Sequence, residues 1–457
     1  MSPVSRKRQK KRNSKPANRT PAVRREDDSD RAAADTMDLY MEEVFESTLR
    51  SEDPFDAELM VTELLGFMRG VDDERRGAPV ETVDAFIEVL AARMTPAATA
   101  VLVVLARLAP AEASRKRAQR RLGEPALRGV SRPAWAESID AWEPGRVMVV
   151  ADVFGDQETV LVEFTGRGRS HALVVLVDFS HLGGWCSEMF VVEDADLLIA
   201  EMANGASATE GLMRCVSLDP AAAHFLIGRA LAATEVMHAP EVGESFDETY
   251  ALALARLRLL PAVPTQVADA AVGDALRLAG LPVPSALRDP VPVPAQERAD
   301  LAERFRASSH AVAFAGVAPD SVEHLTRLVI DYGCDYDDGR PLRVSPIKLA
   351  NFLLRWLPRK AVLDATDREA VPAVIGAWVQ FALGQSELPP TIYDPLLAEL
   401  PVVLGGFVTG YDNLEGFGPA RALPDGIGEV DSWEVLQAIV SERVAALKAP
   451  IRASGTH

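Results

Sequence analysis

The chain of 457 residues has only three cysteines, and they lie far apart at Cys186, Cys215 and Cys334. They form none of the paired spacings that are typical of a zinc site or a redox dithiol. An odd number of cysteines without such spacings is typical of a reducing compartment, so we expect a cytoplasmic protein.

Long apolar runs are also missing. The longest nearly apolar run, Ala97 to Ala106, is about half as long as a segment that crosses a bilayer. The basic residues at the amino terminus are followed by polar chain rather than by the apolar stretch of a signal peptide. We therefore expect no signal peptide, no membrane span and no membrane partner.

Nucleotide-binding motifs are not found. The sequence contains no Gly-x-x-x-x-Gly-Lys-Ser/Thr loop, and Gly166-Arg167-Gly168 lies in a predicted hairpin rather than between a strand and a helix. We predict no cofactor.

The charges are distributed unevenly. The first 25 residues hold ten Lys or Arg and no acid, whereas the rest holds the other 38 of the 48 basic residues and all 67 acidic ones. Residues 1–35 have too few apolar side chains to offset the entropy of ordering, so we expect a disordered basic arm. Residues 26–457 carry a formal charge of about −29.

The basic arm is the first candidate for function. Flexible Lys and Arg side chains neutralise phosphates and release counterions, so the arm is predicted to contact a polyanion, either nucleic acid or an acidic protein. No aromatic residue alternates with the bases, and stacking on unpaired bases is not expected. The alternative is a solubilising tail without a partner. The predicted binding residues are Arg6, Lys7, Arg8, Lys10, Lys11, Arg12 and Lys15.

A second basic cluster follows Pro110 in a helical stretch, where residues three and four apart share a face. We interpret it as a solvated helix surface that pairs with neighbouring acids, with a second polyanion site as the alternative. Its members are Arg115, Lys116, Arg117, Arg120 and Arg121.

Hydrophobic spacing predicts an α+β fold that is predominantly helical. Between Arg146 and Asp194, β-branched runs separated by glycine-containing turns predict an antiparallel meander of three or four strands, packed on helices. Thr95-Pro96 and Ser345-Pro346 are predicted helix starts, and Pro372 is a possible helix break. The predicted organisation is a disordered arm at 1–35, a helical domain at 36–130, the meander domain at 131–260, a proline-rich linker at 261–295 and a helical domain at 296–457.

The loop after the third predicted strand is the second candidate for function. It brings carboxylate, imidazole and thiol groups into one short segment at Asp178, His181 and Cys186. Such groups serve nucleophilic or acid–base catalysis, and a hydrolase or transferase is therefore the alternative to a binding protein. Since no known catalytic spacing is present, an ordinary hairpin connection is preferred and enzymatic activity is left open.

Metal sites are not predicted. His171 begins the third strand and His181 follows its end, so an extended strand holds them roughly 30 Å apart and they cannot share one ion. The acidic segment from Asp331 to Gly339 does not have the spacing of a calcium loop. We interpret it as a turn between two helices.

Several segments resemble a family of conserved hypothetical proteins of actinobacteria. They cover about half of the chain and include Val150 to Gln157, Leu182-Gly183-Gly184, Ser345-Pro346 and Trp356 to Lys360. The resemblance implies a bacterial cytosolic origin, and it brings no activity, cofactor or site residue. We therefore expect a non-enzymatic binding or adaptor protein of unknown oligomeric state that acts through its basic arm.

Overall fold

The computed structural model describes residues 39–70, 80–139, 141–180, 184–209, 211–237, 242–264, 268–284, 287, 292–337, 339–386, 388 and 390–411. They form an α+β fold in which helices predominate, as predicted. The chain divides into two compact units, with boundaries at Leu64, Pro79 and Ile139. The five predicted domain segments remain predictions.

The first unit is helical. Its central element is the helix α4, in which the apolar run identified in the sequence is buried. Thr95 caps this helix, because its hydroxyl accepts a hydrogen bond from the backbone N–H of Ala98 at 3.2 Å, and Pro96 occupies the first turn, as predicted. The helices are α1 at residues 39–50, α2 at Pro54–Gly70 (which crosses the boundary at Leu64), α3 at Val80–Arg93, α4 at Pro96–Leu108, α5 at Glu112–Leu122 and α6 at Pro125–Arg128.

The second unit contains a five-stranded sheet in which every neighbouring pair is antiparallel. The strands are β1 at Glu143–Asp152, β2 at Gln157–Gly166, β3 at Arg169–Asp178, β4 at Trp185–Val192 and β5 at Met213–Ser217. Their order is β4-β3-β2-β1-β5, so β1 to β4 form the predicted meander. The fifth strand was not predicted, since five residues of mixed polarity give a weak strand pattern.

Helices cover both faces of the sheet, as the apolar third strand predicted. Helix α7, at Ala195–Ala208, packs with Leu161 and Val174 on one face. Helices α8, at Pro220–Val236, and α9, at Phe246–Leu257, pack against β4, and α8 also contacts β2 and β3. Val174 and its neighbour Val175 are therefore both buried, although they project to opposite faces.

The remaining helices of this unit are α10 at Ala268–Leu278, α11 at Ala295–Arg306, α12 at Pro319–Asp335, α13 at Pro346–Ala350, α14 at Leu357–Lys360, α15 at Ala365–Leu383 and α16 at Tyr393–Gly410. An aromatic core that includes Phe305, Phe352 and Trp378 is formed by residues of α11, α12, α14, α15, α16 and the segments between them. A π-helical turn at Asn351–Trp356 joins α13 to α14. Among the helices of the described residues, none is both long and apolar enough to cross a membrane.

Helix α15 continues through Pro372, where a break was possible. The buried side chains Val371, Val374 and Trp378 lie on both sides of the proline. Burying this apolar face stabilises the helix enough to offset the hydrogen bond that proline cannot donate.

Candidate functional site

The predicted catalytic loop connects β3 to β4. Asp178 ends β3, and its carboxylate accepts a hydrogen bond from the backbone N–H of Ser180 at 2.7 Å. Cys186 lies in β4, where its thiol donates to the carbonyl of Glu188 at 3.4 Å. His181 lies outside the described residues.

The structure does not bring Asp178 and Cys186 together. Asp178 pairs with Trp185, whereas Cys186 pairs with Val177, and consecutive positions of a strand project to opposite faces. Burial raises the pKa of the Cys186 thiol to about 12, so the thiol stays protonated at neutral pH. A nucleophilic cysteine needs the thiolate, and these properties therefore disfavour Cys186 as a nucleophile.

The second basic cluster lies on α5 and pairs with acids, in line with the interpretation as a paired helix surface. Arg117 contacts Asp84 at 3.0 Å and Glu88 at 3.3 Å, and Arg121 also contacts Glu88. The hydrogen bond from Arg121 lowers the pKa of Glu88, and Arg117 lowers it further.

Two further members of this cluster also have partners. Lys116 pairs with Glu112 one turn earlier at 2.5 Å. Arg115 donates to the carbonyls of Ala109 and Pro110, both at 2.7 Å, and so satisfies backbone groups at the end of α4. Most of the charge of the cluster is thus used within the fold. The residues predicted to bind a polyanion, by contrast, lie outside the described part of the chain: Arg6, Lys7, Arg8, Lys10, Lys11, Arg12 and Lys15.

A buried ionic network that the sequence did not predict lies in the second unit. It is built around Arg343, whose guanidinium donates to both carboxylate oxygens of Asp337 at 2.8 to 3.1 Å. The same guanidinium donates to Oδ1 of Asp156 and to the carbonyl of Phe154. Asp156 and Asp337 are both buried, so Arg343 pairs with carboxylates that are largely shielded from water.

Lys348 completes this network. The Ser345 hydroxyl caps α13 as predicted, accepting from the N–H of Lys348 at 3.0 Å, and this places Lys348 in the first turn. Its ammonium group contacts Asp337 at 2.7 Å and the carbonyl of Arg340 at 2.8 Å. Burial lowers the pKa of Lys348 to about 8, while Asp337 acts in the opposite direction.

The local sequence explains how Asp156 reaches the network. The carboxylate of Asp152 accepts hydrogen bonds from the N–H groups of Phe154 at 2.7 Å, Asp156 at 3.1 Å and Gln157 at 2.6 Å. Gly155 adopts a φ of +74°, which favours glycine. Together they fold the turn between β1 and β2, and the turn directs Asp156 into the protein.

The structure corrects our interpretation of the acidic segment from Asp331 to Gly339, which we expected to form a turn throughout. Asp331 and Asp335 belong to the end of α12, so the predicted turn begins later than expected, and Asp337 follows the helix. Burial alone would raise the pKa of Asp337, but Lys348 and Arg343 lower it further than burial raises it. One signal could have drawn attention to this region: Lys348 is one of only eight lysines and follows a predicted helix cap.

His171, considered above as a metal ligand, is a core residue. It is fully buried, and its Nε2 accepts a hydrogen bond from Nε of Arg256 at 2.8 Å. Its ring meets Trp142 edge-on at 4.5 Å and stacks on Phe164 at 5.6 Å. Burial and the charge of Arg256 lower the pKa of His171 to about 2, so the ring is neutral in the folded protein. Among the described residues, no group of three or more His, Cys, Asp or Glu side chains could hold a metal ion.

Glu158 is the most unusual carboxyl group of the sheet. It is fully buried in β2, and neither of its side-chain oxygens has a hydrogen-bond partner in the part of the chain that the structure describes. Burial, with a smaller effect of Asp152, raises the pKa of Glu158 to about 8. At neutral pH this side chain is therefore mostly an uncharged acid.

Comparison of the chain with protein-family models, with curated proteins and with solved structures gives no match. We therefore infer function from the contacts and charges of the chain itself.

Proposed function

We propose that this chain is a non-enzymatic binding protein of the bacterial cytoplasm whose basic arm contacts nucleic acid. One observation carries the proposal: the basic cluster on α5 pairs with acids of its own unit, while the first 25 residues of the arm hold ten basic residues without any acid. Charges already neutralised within a fold contribute little to binding an outside polyanion. The arm remains the segment with excess positive charge.

The rest of the charge distribution supports local binding. Residues 26–457 have a formal charge of about −29 and repel a polyanion, so contact is favoured only through the basic residues of the arm. The arm is rich in Arg and Lys and has no aromatic residue among its bases, which suits contact with phosphates rather than with base edges. We therefore expect binding that is strongly dependent on salt and weakly dependent on sequence.

We propose a binding function rather than an enzymatic one because the buried, protonated thiol of Cys186 is poorly suited to act as a nucleophile. A nucleophile at this position would have to leave a buried environment that keeps it protonated. Within the described residues, Asp178 and Cys186 project to opposite faces of the sheet, so the hydrolase or transferase alternative is not proposed.

The test compares the full chain with a variant that lacks residues 1–30, using fluorescence anisotropy with a labelled DNA duplex and a labelled RNA of mixed sequence. We expect the full chain to bind in low salt and the deletion to lose this binding. Polyglutamate serves as the acidic-protein probe. If the deletion binds nucleic acid as well as the full chain, or if the full chain prefers polyglutamate, the proposal is wrong.

A matched control comes from α5. Lys116 and Arg120 are exposed basic residues of the body, so replacing both with Gln removes two positive charges without touching the arm. This variant should bind nucleic acid almost as well as the unmodified chain. A loss comparable to that of the arm deletion would show that the body, rather than the arm, carries the contact.

A further inference from the structure

The outer face of helix α16 is exposed, although it carries little charge. From Leu400 to Tyr411 the sequence has no Asp, Glu, Lys or Arg, and Val402 and Val408 are 75% and 60% exposed. A surface helix normally carries charged and polar side chains on the side away from the core, and a helix that is apolar all round is normally buried. This face therefore suits a second apolar element. The exposed residues that form it are Ala398, Pro401, Val402, Gly405, Val408 and Thr409.

The exposed surface continues onto the π-helical turn and α14. Leu354 is 43% exposed and lies beside α16, 3.4 Å from the position that a Cβ atom would occupy at Gly406. Arg355, Arg359 and Lys360 follow Leu354, and all three are exposed and form no ion pair with the residues that the structure describes. The outer face of α16 is thus bordered by positive charge. It suits a partner that combines an apolar stripe with acids.

A segment that follows α16 in the sequence has this combination. Residues 432–448 lie outside the described part of the chain, and their apolar residues recur every three or four positions, which predicts an amphipathic helix. Ser432 is a suitable cap, and Pro450 follows the predicted end. The apolar stripe comprises Trp433, Leu436, Val440, Val444 and Leu447. Acids lie before the helix and in its first turn, at Asp425, Glu429, Asp431 and Glu434.

The lengths permit docking within one chain. The connection from Tyr411 to Ser432 spans 21 residues (432 minus 411) and can extend to about 70 Å, so it can turn back along α16. The predicted helix at 433–447 and the stretch of α16 from Asp394 to Val408 both contain 15 residues (447 minus 432, and 408 minus 393), which is about 22 Å of helix. An antiparallel helix would therefore cover most of the outer face.

The charges fit the antiparallel direction. Because Leu354 lies beside Gly406, the basic residues border the carboxyl-terminal half of α16, next to which an antiparallel helix begins. The acids at the start of the predicted helix would then lie near these bases. At its other end, Arg443 and Lys448 would lie near two exposed acids in the amino-terminal half of α16, which are Asp394 and Glu399. Both ends therefore bring opposite charges together.

We propose that residues 432–448 form a helix that packs antiparallel on the outer face of α16 in the same chain. The apolar stripe of this helix covers Val402 and Val408, and its acids lie beside Arg355. A second copy of the chain is a weaker competitor, because a tethered segment has an effective concentration of about millimolar. The docking does not depend on the basic arm and goes beyond the proposed contact with nucleic acid.

Hydrogen exchange of the full chain, followed by mass spectrometry, tests the proposal. We expect the backbone amides of residues 435–447 to exchange slowly in the unmodified chain, because a helix of this length is only marginally stable unless it is packed. Val402→Asp combined with Val408→Asp should speed this exchange at least about 10-fold, since burying one valine contributes about that factor. Equal exchange in the two proteins would overturn the proposal.

The matched control is Val89→Asp combined with Val312→Asp. It also replaces two exposed valines, one on α3 and one in the segment before α12, and should leave the exchange of residues 435–447 unchanged. A comparable acceleration in this control would show that the effect is not specific to α16 and would contradict the docking.

Light scattering at the same concentration distinguishes docking within one chain from docking between copies. We expect a monomer. A dimer that becomes a monomer when residues 432–448 are deleted would show that the segment docks on a second copy, contrary to the proposal.

Charge reversal provides a test that leaves α16 unchanged. Arg355→Glu combined with Arg359→Glu should speed the exchange of residues 435–447 by about 3-fold, which corresponds to the loss of two exposed ion pairs. Adding Asp431→Arg and Glu434→Arg should restore slow exchange, whereas a purely structural effect of the first reversal would persist. If the first reversal has no effect, or if the second does not restore slow exchange, the proposed docking is wrong.

Discussion

Arg343 donates a hydrogen bond to the carboxylate of Asp156 across 187 residues of sequence. The contact joins the turn between β1 and β2 to the segment just before α13. Because the same guanidinium also contacts Asp337, one side chain forms ion pairs with two buried carboxylates.

Replacing Arg343 with Met should therefore destabilise the fold strongly. Asp337 keeps Lys348 and Arg340, but Asp156 would be left as a buried charge without its partner. We expect a loss of about 3 to 5 kcal/mol in the free energy of unfolding, measured by urea denaturation followed by circular dichroism. The free energy of unfolding of Arg343→Lys should lie between those of the unmodified chain and of Arg343→Met. Lysine keeps the positive charge, but one ammonium group cannot reproduce the planar contacts of a guanidinium.

Arg298 offers the matched control for this substitution. It also bridges two carboxylates, those of Asp331 and Asp335, but on a more exposed surface where Asp335 is 50% accessible. Arg298→Met should cost no more than about 1 kcal/mol. If Arg298→Met and Arg343→Met lose similar amounts of unfolding free energy, burial is not the reason for the large effect expected at Arg343.

Glu158→Gln should change how stability depends on pH. The pKa of Glu158 in the folded protein is about 8, above its ordinary value. The stability that it contributes is therefore fully present below its unfolded pKa of about 4.5 and is lost as the pH rises through about 8. Glutamine has nearly the same shape but cannot ionise, so the variant should lose less stability over this range.

The measurement is urea denaturation of both proteins at pH 5 and pH 9. At pH 9 we expect Glu158→Gln to be more stable than the unmodified chain by a difference on the order of 4 kcal/mol, and at pH 5 the two should be close. Glu303→Gln, which changes an exposed glutamate, should show no such pH-dependent difference. Parallel curves for Glu158→Gln and the unmodified chain would show that Glu158 is not buried in its neutral form.

Cysteine reactivity should follow burial. In the folded protein, a thiol reagent at pH 7.5 should modify Cys215, which is half-buried on β5, before it modifies Cys186. In urea all three cysteines should react at similar rates, which provides the control. Mass spectrometry of peptides from a timed reaction measures the order. Rapid modification of Cys186 in the folded protein would reopen the possibility of a nucleophile there.

Arm charges should determine the salt dependence of nucleic-acid binding. Replacing Lys10, Lys11, Arg12 and Lys15 with Gln removes four charges, so the slope of log affinity against log salt on duplex DNA should fall in magnitude by about 3.6. Fluorescence anisotropy between low and moderate salt measures the slope. The double variant of Lys116 and Arg120 should leave it almost unchanged. An equal slope for the arm variant and the unmodified chain would mean that these side chains do not contact phosphates.

Local sequence patterns were sufficient for much of the fold and for the α5 cluster. The strands β1 to β4 were predictable because β-branched runs and glycine turns are features of neighbouring residues. The caps at Thr95 and Ser345 were predictable for the same reason. The five residues of β5 were too few and too polar to show such a pattern, and β5 forms because the exposed edge of β1 supplies its hydrogen bonds.

The buried ionic network could not be predicted in this way. Asp156 and Arg343 are ordinary polar residues of two distant segments, and nothing near either one indicates a partner. Such contacts depend on long-range packing, whose effect on a single residue leaves no periodic signal in the sequence.

Composition and order along the chain were enough to establish the uneven charge, the helical predominance and the central meander, because these depend on neighbours and on sums over many residues. Folding in three dimensions settled which charges are neutralised and which buried groups lack a partner. Arg117 and Asp156 show the difference: each is simply a charged residue in the sequence, and only its distance to Glu88 or to Arg343 determines its role. Electrostatic energy depends on separation and burial, and neither quantity is written in the linear order of residues.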